Sequence, residues 1–429
     1  MHIVARAHAF VESLQRLAGR RDRDWRRCTV CGSGRVYRHG SYTRRPWTLE
    51  GRVVRSVQRY QCQSCKATHS ESFADVAPGR WYARSVQRYT IDGWLHLGSS
   101  LRRVAEWVRS VVGKQERWHI WHPLSSRGME TERCRLSHST VSRWLNEAGM
   151  AATGRVEGMH SGIVSSGQLG ADGLWVRLRG GTVRVLLMLR DSVTGLLWPP
   201  VVAAGEEAAS AWEALFARAC QAGLVLEDVR AVVSDGAQGL LSYLRHSLPH
   251  VYQQRCIFHT WRNLAGEMAR QVAQAAQGLS EEEGDRVRER VREELTALVH
   301  QVLDATCFEK AEEGLAQLKA HPWGLGLWQV LNNRFIELLT HLLEACQEVG
   351  RVTPEWMWRD LRLRLSHGRN HGNEQRVEPA GLLFTIYRNF TPAQRRRERH
   401  RHYRHPGQSA LEVAGMTLEG CSYLDALEV

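Results

Sequence analysis

Two aspartates stand at the ends of apolar segments whose pattern predicts β-strands. Asp172 lies within Leu-Gly-Ala-Asp-Gly-Leu-Trp-Val (169–176). Asp235 follows the apolar part of Val-Arg-Ala-Val-Val-Ser-Asp-Gly (229–236). A third carboxylate, Glu374, lies far downstream in a polar, basic segment. Divalent cations prefer converging oxygen ligands, and a pair of them activates a nucleophile and stabilises a leaving oxygen at phosphorus. The three residues therefore predict a two-metal site that cuts phosphodiesters.

A lone aspartate at a strand end is commonly only a turn former, so the prediction depends on the elements around it. The pattern predicts strands over 170–178, 182–190, 196–202, 229–234 and 251–255, with helices over 206–221 and 237–247. Three strands, a helix and a fourth strand follow the order of a ribonuclease H-like sheet. In that order the first and fourth strands are neighbours, so Asp172 and Asp235 would face each other.

The third carboxylate has two candidates. Glu378 lies one helical turn beyond Glu374, so both side chains can face the same cations, although Pro379 limits how far such a helix extends. Asn373 and Arg376 in the same segment suit phosphate contacts. The alternative interpretation of this segment is an ordinary solvated helix face.

Four of the ten cysteines form two pairs, Cys28-Thr-Val-Cys31 and Cys62-Gln-Ser-Cys65. A gap of two residues lets two thiolates from one tight turn reach one tetrahedral zinc ion, and two such turns complete a four-cysteine site. The alternating residues between the pairs predict short strands, which is typical of a zinc ribbon. We therefore expect a structural Zn²⁺ rather than disulfides.

Helical spacing of apolar residues follows over 85–97 and 100–108, and again over 136–149. The last segment is typical of a recognition helix, with Ser137 as its cap and Gly149 as its predicted end. Near its beginning lie the residues expected to meet base edges or phosphates: Ser139, Thr140, Ser142 and Arg143. The intervening segment 114–135 is longer than a usual turn, so an ordinary helical hairpin is the alternative.

The basic charge is concentrated in the first third of the chain. Residues 1–150 hold 27 Lys and Arg against 12 Asp and Glu, although the whole chain carries a formal charge of +13. A localised basic block favours nucleic-acid binding. No run of about 18 apolar residues predicts a membrane span, and the first residues lack a signal-peptide pattern. We therefore expect a cytoplasmic protein, associated with the nucleoid through DNA.

These motifs together resemble the DDE-type transposases, in the broad group of Mutator-like and related bacterial insertion-sequence enzymes. The resemblance rests on these segments: Asp172-Gly173, Val233-Ser-Asp-Gly-Ala237, Gln254-Arg-Cys-Ile-Phe-His259 with Arg262-Asn263, and Asn373-Glu374. It implies Asp172 and Asp235 as ligands of two Mg²⁺ (or Mn²⁺) ions and Glu374 as the third carboxylate. It also implies a motif beside the active site at Cys256 and His259, for which packing and phosphate positioning both remain open.

The predicted fold is multidomain: a ribonuclease H-like α/β core interrupted by an all-α insertion and preceded by a zinc ribbon and a helix-turn-helix domain. The predicted bounds are 24–75 for the ribbon, 80–150 for the helix-turn-helix, 160–260 and 366–429 for the core, and 261–365 for the insertion. The final part carries a basic run, 395–404, as a further candidate for contacts to the DNA backbone.

The predicted function is cutting and transfer of DNA strands at the ends of the protein's own mobile element. The partners are then double-stranded DNA, as element ends and as target, and a second copy of the chain, because two ends must be held together. The alternative is a transposase-derived, non-catalytic, sequence-specific DNA-binding protein that uses only its first 150 residues.

Overall fold

The computed structural model describes most of the chain: residues 27–77, 79–112, 134–159, 162–178, 180–351, 353, 355–366, 374–392, 405, 407–418 and 420–427. The chain divides into two compact units, Met1–Ala148 with Glu428–Val429, and Gly149–Leu427. This confirms the predicted mixed α/β, multidomain organisation. Three features of the sequence analysis lie outside the described residues: most of the segment 114–135 between the predicted helices, Asn373, and the basic run 395–404.

The first unit begins with a small antiparallel sheet. Strand β4 (Arg55–Cys62) is central and pairs with β1 (Val36–Arg44) and β5 (Thr68–Ser70), while β2 (Trp47–Thr48) and β3 (Gly51–Arg52) form a separate ribbon. Strand β4 buries Val57, Tyr60 and Cys62 and leaves the residues between them more exposed. The hydrophobic face of so short a sheet is small, which suits a domain that needs a metal for stability.

Helices complete the first unit and lead into the second. Helix α1 spans Arg84–Leu97, α2 spans Leu101–Val111 and α3 spans His138–Met159. The predicted end of α3 at Gly149 was wrong, because the helix continues for ten residues. A Cβ at Gly149 would lie 2.4 Å from the carbonyl oxygen of Pro379. This glycine therefore permits close packing and does not act as a cap.

The second unit is built on a five-stranded sheet. Its strands are β6 (Gln168–Arg177), β7 (Val183–Asp191), β8 (Val201–Ala203), β9 (Ala231–Ser234) and β10 (Tyr252–Arg255), in the order β10-β9-β6-β7-β8. Strands β6, β7 and β8 are antiparallel neighbours, whereas β9 is parallel to β6 and β10 is parallel to β9. Strand β8 is shorter than predicted, because Pro199 and Pro200 lack the N–H groups that a ladder requires.

Helices pack beside this sheet and connect strands that follow one another in the chain. In the chain, helix α4 (Ala209–Gln221) lies between β8 and β9, and α5 (Gln238–Ser247) lies between β9 and β10. Helix α4 begins three residues later than predicted, so Glu206 and Glu207 precede it. Burial of Trp212, Leu215 and Phe216 on one face of α4 provides the apolar contact that fixes the helix.

A helical block follows β10 and has its own hydrophobic core. It contains α6 (Ile257–Ala275), α7 (Glu281–Leu303), α8 (Phe308–Ala320), α9 (Leu325–Asn332) and α10 (Phe335–Leu339). Apolar side chains from all five helices form one buried cluster. Ser280 caps α7, since its side chain accepts the Glu283 N–H.

The chain then returns to the sheet through α11 (Glu355–Ser366) and α12 (Val377–Phe390), and ends in the short helices α13 (Ala410–Val413) and α14 (Tyr423–Ala426). Asn389 of α12 pairs with both backbone groups of Leu197: its Oδ1 accepts the N–H at 2.8 Å, and its Nδ2 donates to the carbonyl at 2.9 Å. The last long helix therefore completes the packing of the sheet. None of the described helices is long and apolar enough to cross a membrane.

Candidate functional site

The two predicted aspartates lie on adjacent parallel strands. Asp172 is in β6 and Asp235 directly follows β9, where Gly170 pairs with Val233. Each aspartate lies two residues beyond this pair, so the same register puts them at equivalent heights on strands about 4.8 Å apart. Asp172 is only 5% exposed and its Oδ1 accepts the N–H of Gly173 at 2.9 Å. The Oδ1 of Asp235 accepts the N–H of Ala237 at 2.9 Å.

A carboxylate that the sequence analysis missed, Glu207, packs against Gly173 and Trp175 of β6 and lies within electrostatic reach of Asp235. Its Oε1 accepts the indole N–H of Trp175 at 3.1 Å, and a Cβ at Gly173 would lie 2.5 Å from that same oxygen. Burial and the charge of Asp235 raise the pKa of Glu207 to about 7. A glutamate just before a helix is usually an ordinary N-terminal residue, so its local sequence carried no signal.

A buried arginine brings positive charge to the same place. Arg255 ends β10, and a Cβ at Gly236, next to Asp235, would lie 1.2 Å from its Nη1. Burial and the charge of Arg334 lower the pKa of Arg255. The Nη1 atom is buried and makes no hydrogen bond within the part of the chain that the structure describes. A guanidinium so placed suits a phosphate oxygen.

Glu374 forms an ion pair with Arg184 of β7. Glu374 is the first residue of a short 3-10 helix, Glu374–Arg376. Arg184 contacts both of its carboxylate oxygens: Nε lies 2.8 Å from Oε1, and Nη2 donates to Oε2 at 2.8 Å. The hydrogen bond from Arg184 lowers the pKa of Glu374. Asp172 pairs with Met188, so Arg184 lies four residues, or about 13 Å, further along β7.

The alternative third carboxylate, Glu378, is also engaged, because it forms an ion pair with Arg218 of α4. Within the described ranges, the one group of three or more histidine, cysteine or acidic side chains that could hold a metal ion is formed by cysteines of the first unit. Asp172 and Asp235 are thus brought together, whereas Glu374 and Glu378 are each bound to an arginine.

The four predicted cysteines converge in the first unit. The sulfur atoms of Cys28, Cys31, Cys62 and Cys65 all lie within 4.8 Å of one another, with Cys28 and Cys65 at 3.5 Å and Cys31 and Cys62 at 3.6 Å. Four sulfurs about 2.3 Å from one zinc ion would be about 3.8 Å apart. Hydrogen bonding from the Cys65 backbone lowers the pKa of Cys62 to about 6, which favours the thiolate. The cluster can therefore hold a structural zinc ion.

The turns that present these sulfurs explain two neighbouring residues. Gly32 has φ +70° and Lys66 has φ +60°, both in the left-handed region. The N–H groups of Gly32 and Lys66 donate to the carbonyls of Cys28 and Cys62 and so close the two turns, and the N–H of Val30 donates to the sulfur of Cys28 at 3.4 Å. Amide donation stabilises the negative charge that a thiolate brings to the site.

The predicted DNA-contacting residues lie at the start of α3. Ser137 caps this helix, since its Oγ accepts the N–H of Thr140 at 3.2 Å. Ser139 and Arg143 are exposed and Thr140 and Ser142 are half-buried, while the inward stripe of Val141, Trp144 and Leu145 is buried. Arg376, in the second unit, is exposed. All five polar residues remain candidates for DNA contact.

Cys256 and His259 lie at the start of α6 and are both buried. The sulfur of Cys256 accepts the N–H of Thr353 at 3.3 Å, and Cys256 packs in a cluster with Ala231, Val233, Cys346 and Val349. This apolar cluster packs the start of the helical block against side chains of β9. The placement favours packing over phosphate positioning for Cys256.

Part of the chain matches a known protein family. Residues 200–308 fit the family described as Transposase, Mutator family. This segment includes Glu207, Asp235, Cys256 and His259, but neither Asp172 nor Glu374. No curated protein matches the chain significantly. The match confirms the resemblance to Mutator-like transposases that the motifs indicated.

Proposed function

We propose that this Mutator-like transposase binds the ends of its own mobile element and cuts and transfers DNA strands with two Mg²⁺ (or Mn²⁺) ions. The observation that carries the proposal is the placement of Asp172 and Asp235 at equivalent heights on adjacent strands. The sheet order β10-β9-β6-β7-β8 supports a ribonuclease H-like core. The helical block between β10 and α11 would be the insertion in this core.

The donor atoms at this place fit divalent metal ions. Hard cations prefer carboxylate oxygens, and Asp172 and Asp235 supply one carboxylate each from adjacent strands. Asp172 and Asp235 would hold the two ions. Bound there, the ions would lower the pKa of an attacking water or 3′-hydroxyl and stabilise the leaving oxygen.

The protein's own residues then orient the DNA. Asp172 and Asp235 are fixed by hydrogen bonds from the backbone that follows them, so their oxygens need little reorganisation when charge develops. The guanidinium of Arg255 lies beside Asp235 and would bind a non-bridging phosphate oxygen. No protein nucleophile is required, because water attacks first and the freed 3′-hydroxyl attacks afterwards.

Glu374 would join the site as the third carboxylate after leaving Arg184. About half of the Glu374 side chain is exposed, so water and salt screen its ion pair. A phosphate of bound DNA would compete for Arg184 and release Glu374. Arg376, two residues away, would contact the DNA backbone in the same step.

The first unit would select the DNA. A zinc ion on the four cysteines would fix the ribbon, and the exposed start of α3, with Ser139, Thr140, Ser142 and Arg143, would enter the major groove. The excess of basic side chains in the first 150 residues supplies attraction to phosphate. Synapsis of two element ends requires at least a dimer.

The test uses purified full-length protein, Mg²⁺ and a supercoiled plasmid that carries the inverted repeats flanking the gene. We expect nicking and strand joining by the wild type, and neither by Asp172→Asn or Asp235→Asn, with end binding retained. Equal nicking by Asp235→Asn would refute the site assignment. Absence of nicking by the wild type, with retained end binding, would favour the non-catalytic DNA-binding alternative, to which the Arg184–Glu374 ion pair lends some support.

A further inference from the structure

We infer that Trp81 and Arg84 form a second DNA-contacting element of the first unit, beside the start of α3. The indole packs on the sugar and base surface of the minor groove next to the major groove that α3 enters, and the guanidinium binds a phosphate. This inference rests on the proposed function, in which α3 binds the element ends. Four kinds of observation carry it: an exposed indole, a fixed backbone, contacts with α3, and the surrounding charge.

The indole of Trp81 is unusually accessible for so large an apolar group. Trp81 is 66% exposed, and its ring makes no hydrogen bond or ring contact with any described residue. Aromatic side chains contribute strongly to interfaces, because each can bury a large apolar area. Single exposed apolar residues are nevertheless ordinary on protein surfaces. The assignment therefore depends on how the indole is held and on what surrounds it.

The backbone on both sides of Trp81 is fixed by hydrogen bonds. The N–H of Trp47 donates to the carbonyl of Trp81 at 2.8 Å, and the N–H of Ala83 donates to the carbonyl of Trp47 at 2.7 Å. Trp47 is itself buried. On the preceding side, Nη2 of Arg44 donates to the carbonyl of Arg80. The chain already holds the indole in place, so little backbone entropy is lost when it meets a partner.

The same segment, residues 80–84, is attached to α3 by two contacts. The ring of Tyr82 meets the ring of Trp144 edge-on, with centroids 5.3 Å apart. Nη2 of Arg80 donates to Oε1 of Glu147 at 3.1 Å, and Nε of Arg143 lies 3.8 Å from that same oxygen. Arg143 is one of the predicted DNA-contacting residues of α3. The exposed indole is therefore held next to the predicted recognition helix.

Helix geometry gives the distance between the two elements. Ser139, Arg143 and Glu147 follow one another at intervals of four residues, so they lie along one side of α3. At 1.5 Å per residue, Glu147 is about 12 Å from Ser139 along the helix axis. The major groove of DNA is also about 12 Å wide. A duplex that holds the start of α3 in its major groove therefore brings the adjoining backbone and minor groove near the segment attached to Glu147.

The charge around this indole favours DNA as the occupant. Arg84 is exposed, and no described acidic side chain forms an ion pair with it. The acidic side chains that adjoin the segment are already paired, Asp75 with Arg55 and Glu147 with Arg80. The surface therefore combines an apolar ring with an available positive charge. Sugars and phosphates of DNA offer the complementary apolar and anionic groups.

The experiment measures binding of the full-length, zinc-loaded protein, without Mg²⁺, to a duplex that carries one inverted repeat flanking the gene. Trp81→Ala is compared with Leu97→Ala. Leu97 is also an exposed apolar residue of the first unit, at 50%, but it ends α1, about 20 Å from the start of that helix. We expect Trp81→Ala to weaken binding about tenfold at fixed salt. Leu97→Ala should bind like the wild type, and Trp81→Phe should recover part of the loss.

The dependence on salt separates the two side chains. Because the indole is uncharged, Trp81→Ala should leave the slope of log affinity against log salt unchanged. Arg84→Ala should reduce that slope by about 1, as loss of one phosphate contact does. Hydroxyl radicals attack sugars from the minor groove, so Trp81→Ala should also expose sugars beside the site of α3. Wild-type affinity and an unchanged footprint in Trp81→Ala would overturn the inference and leave the indole for a protein partner.

The melting temperature and zinc content separate a lost contact from a lost fold. Since the Trp81 side chain is mostly exposed, Trp81→Ala and Trp81→Phe should match the wild type in both measurements. A clear fall in melting temperature or zinc content in both variants would overturn the inference, because Trp81 would then be a structural residue.

The Arg143→Ala variant distinguishes the inference from the proposed function on which it rests. If Arg143→Ala weakens binding to the element end while Trp81→Ala does not, the role of α3 survives and the role of Trp81 falls. If neither variant weakens binding, the proposed DNA selection by the first unit is wrong as well. Weaker binding by both variants, with different salt slopes, supports both proposals.

Discussion

Replacement of Gly236 by alanine tests the packing that surrounds Asp235. Gly236 has φ +83°, and a Cβ there would meet Nη1, Cζ and Nη2 of Arg255 at 1.2, 2.1 and 2.8 Å. The left-handed backbone alone costs an L-residue about 1–2 kcal/mol. Displacing a buried guanidinium adds about 1–3 kcal/mol, as overpacking does elsewhere. We therefore expect Gly236→Ala to lower the free energy of unfolding by about 2–5 kcal/mol.

The matched control is Gly180→Ala in the turn between β6 and β7. Gly180 has φ +88° but nothing lies within 4 Å of its Cβ position, so only the backbone cost of about 1–2 kcal/mol applies. Urea unfolding followed by circular dichroism compares the two variants, since both glycines lie in the Gly149–Leu427 unit. Equal midpoints for the two variants would refute the steric reasoning.

A double-variant cycle isolates the contact with Arg255. In the Arg255→Ala background the guanidinium is gone, so Gly236→Ala should cost only the backbone part. The expected coupling is about 1–3 kcal/mol. A coupling of zero would mean that the guanidinium moves away from Gly236 without cost. In that case Arg255 would not be rigidly positioned beside Asp235.

Three further predictions concern other parts of the chain. Asp191 is fully buried and accepts the N–H groups of Ser166, Val193 and Thr194. Asp191→Ala should lower the free energy of unfolding, measured in urea, by about 3–5 kcal/mol. A loss below about 1 kcal/mol would contradict this expectation. Cys62→Ser should reduce bound zinc, measured by plasma mass spectrometry, from one ion per chain to a fraction, and wild-type zinc content would argue against the four-cysteine site. Arg143→Ala should weaken binding to element ends and reduce the slope of log affinity against log salt by about 1, whereas an unchanged slope would exclude a phosphate contact.

The sequence predicted those features that depend on short-range spacing. The four cysteines converge because each pair needs only one tight turn, and the aspartates could be paired because strand order follows from element order. The inward stripe of Val141, Trp144 and Leu145 is likewise a matter of helical period. Each of these predictions uses residues that are near in the chain, or a topology that is common to many proteins.

The features that the sequence did not reveal depend on contacts between distant segments. Gly149 carries the local signal of a helix end, but packing against Pro379 decides its role instead. Glu374 is a chemically suitable ligand, yet its contact with Arg184 spans 190 positions in the chain. Glu207 stands out only when its contacts with Gly173 and Trp175 are known. Neither hydrophobic periodicity nor secondary-structure propensity predicts contacts between segments so far apart in the chain.

The two hydrogen bonds between Asn389 and Leu197 have a consequence for synthesis of the protein. All five strands of the sheet have been made once Arg255 is added, but the residue that completes their packing follows 134 positions later. At about 5–20 residues per second, a ribosome needs roughly 7–27 s to bridge that interval. During this time the apolar surface meant for α12 has no partner. Chaperone demand should therefore peak while the helical block is being translated.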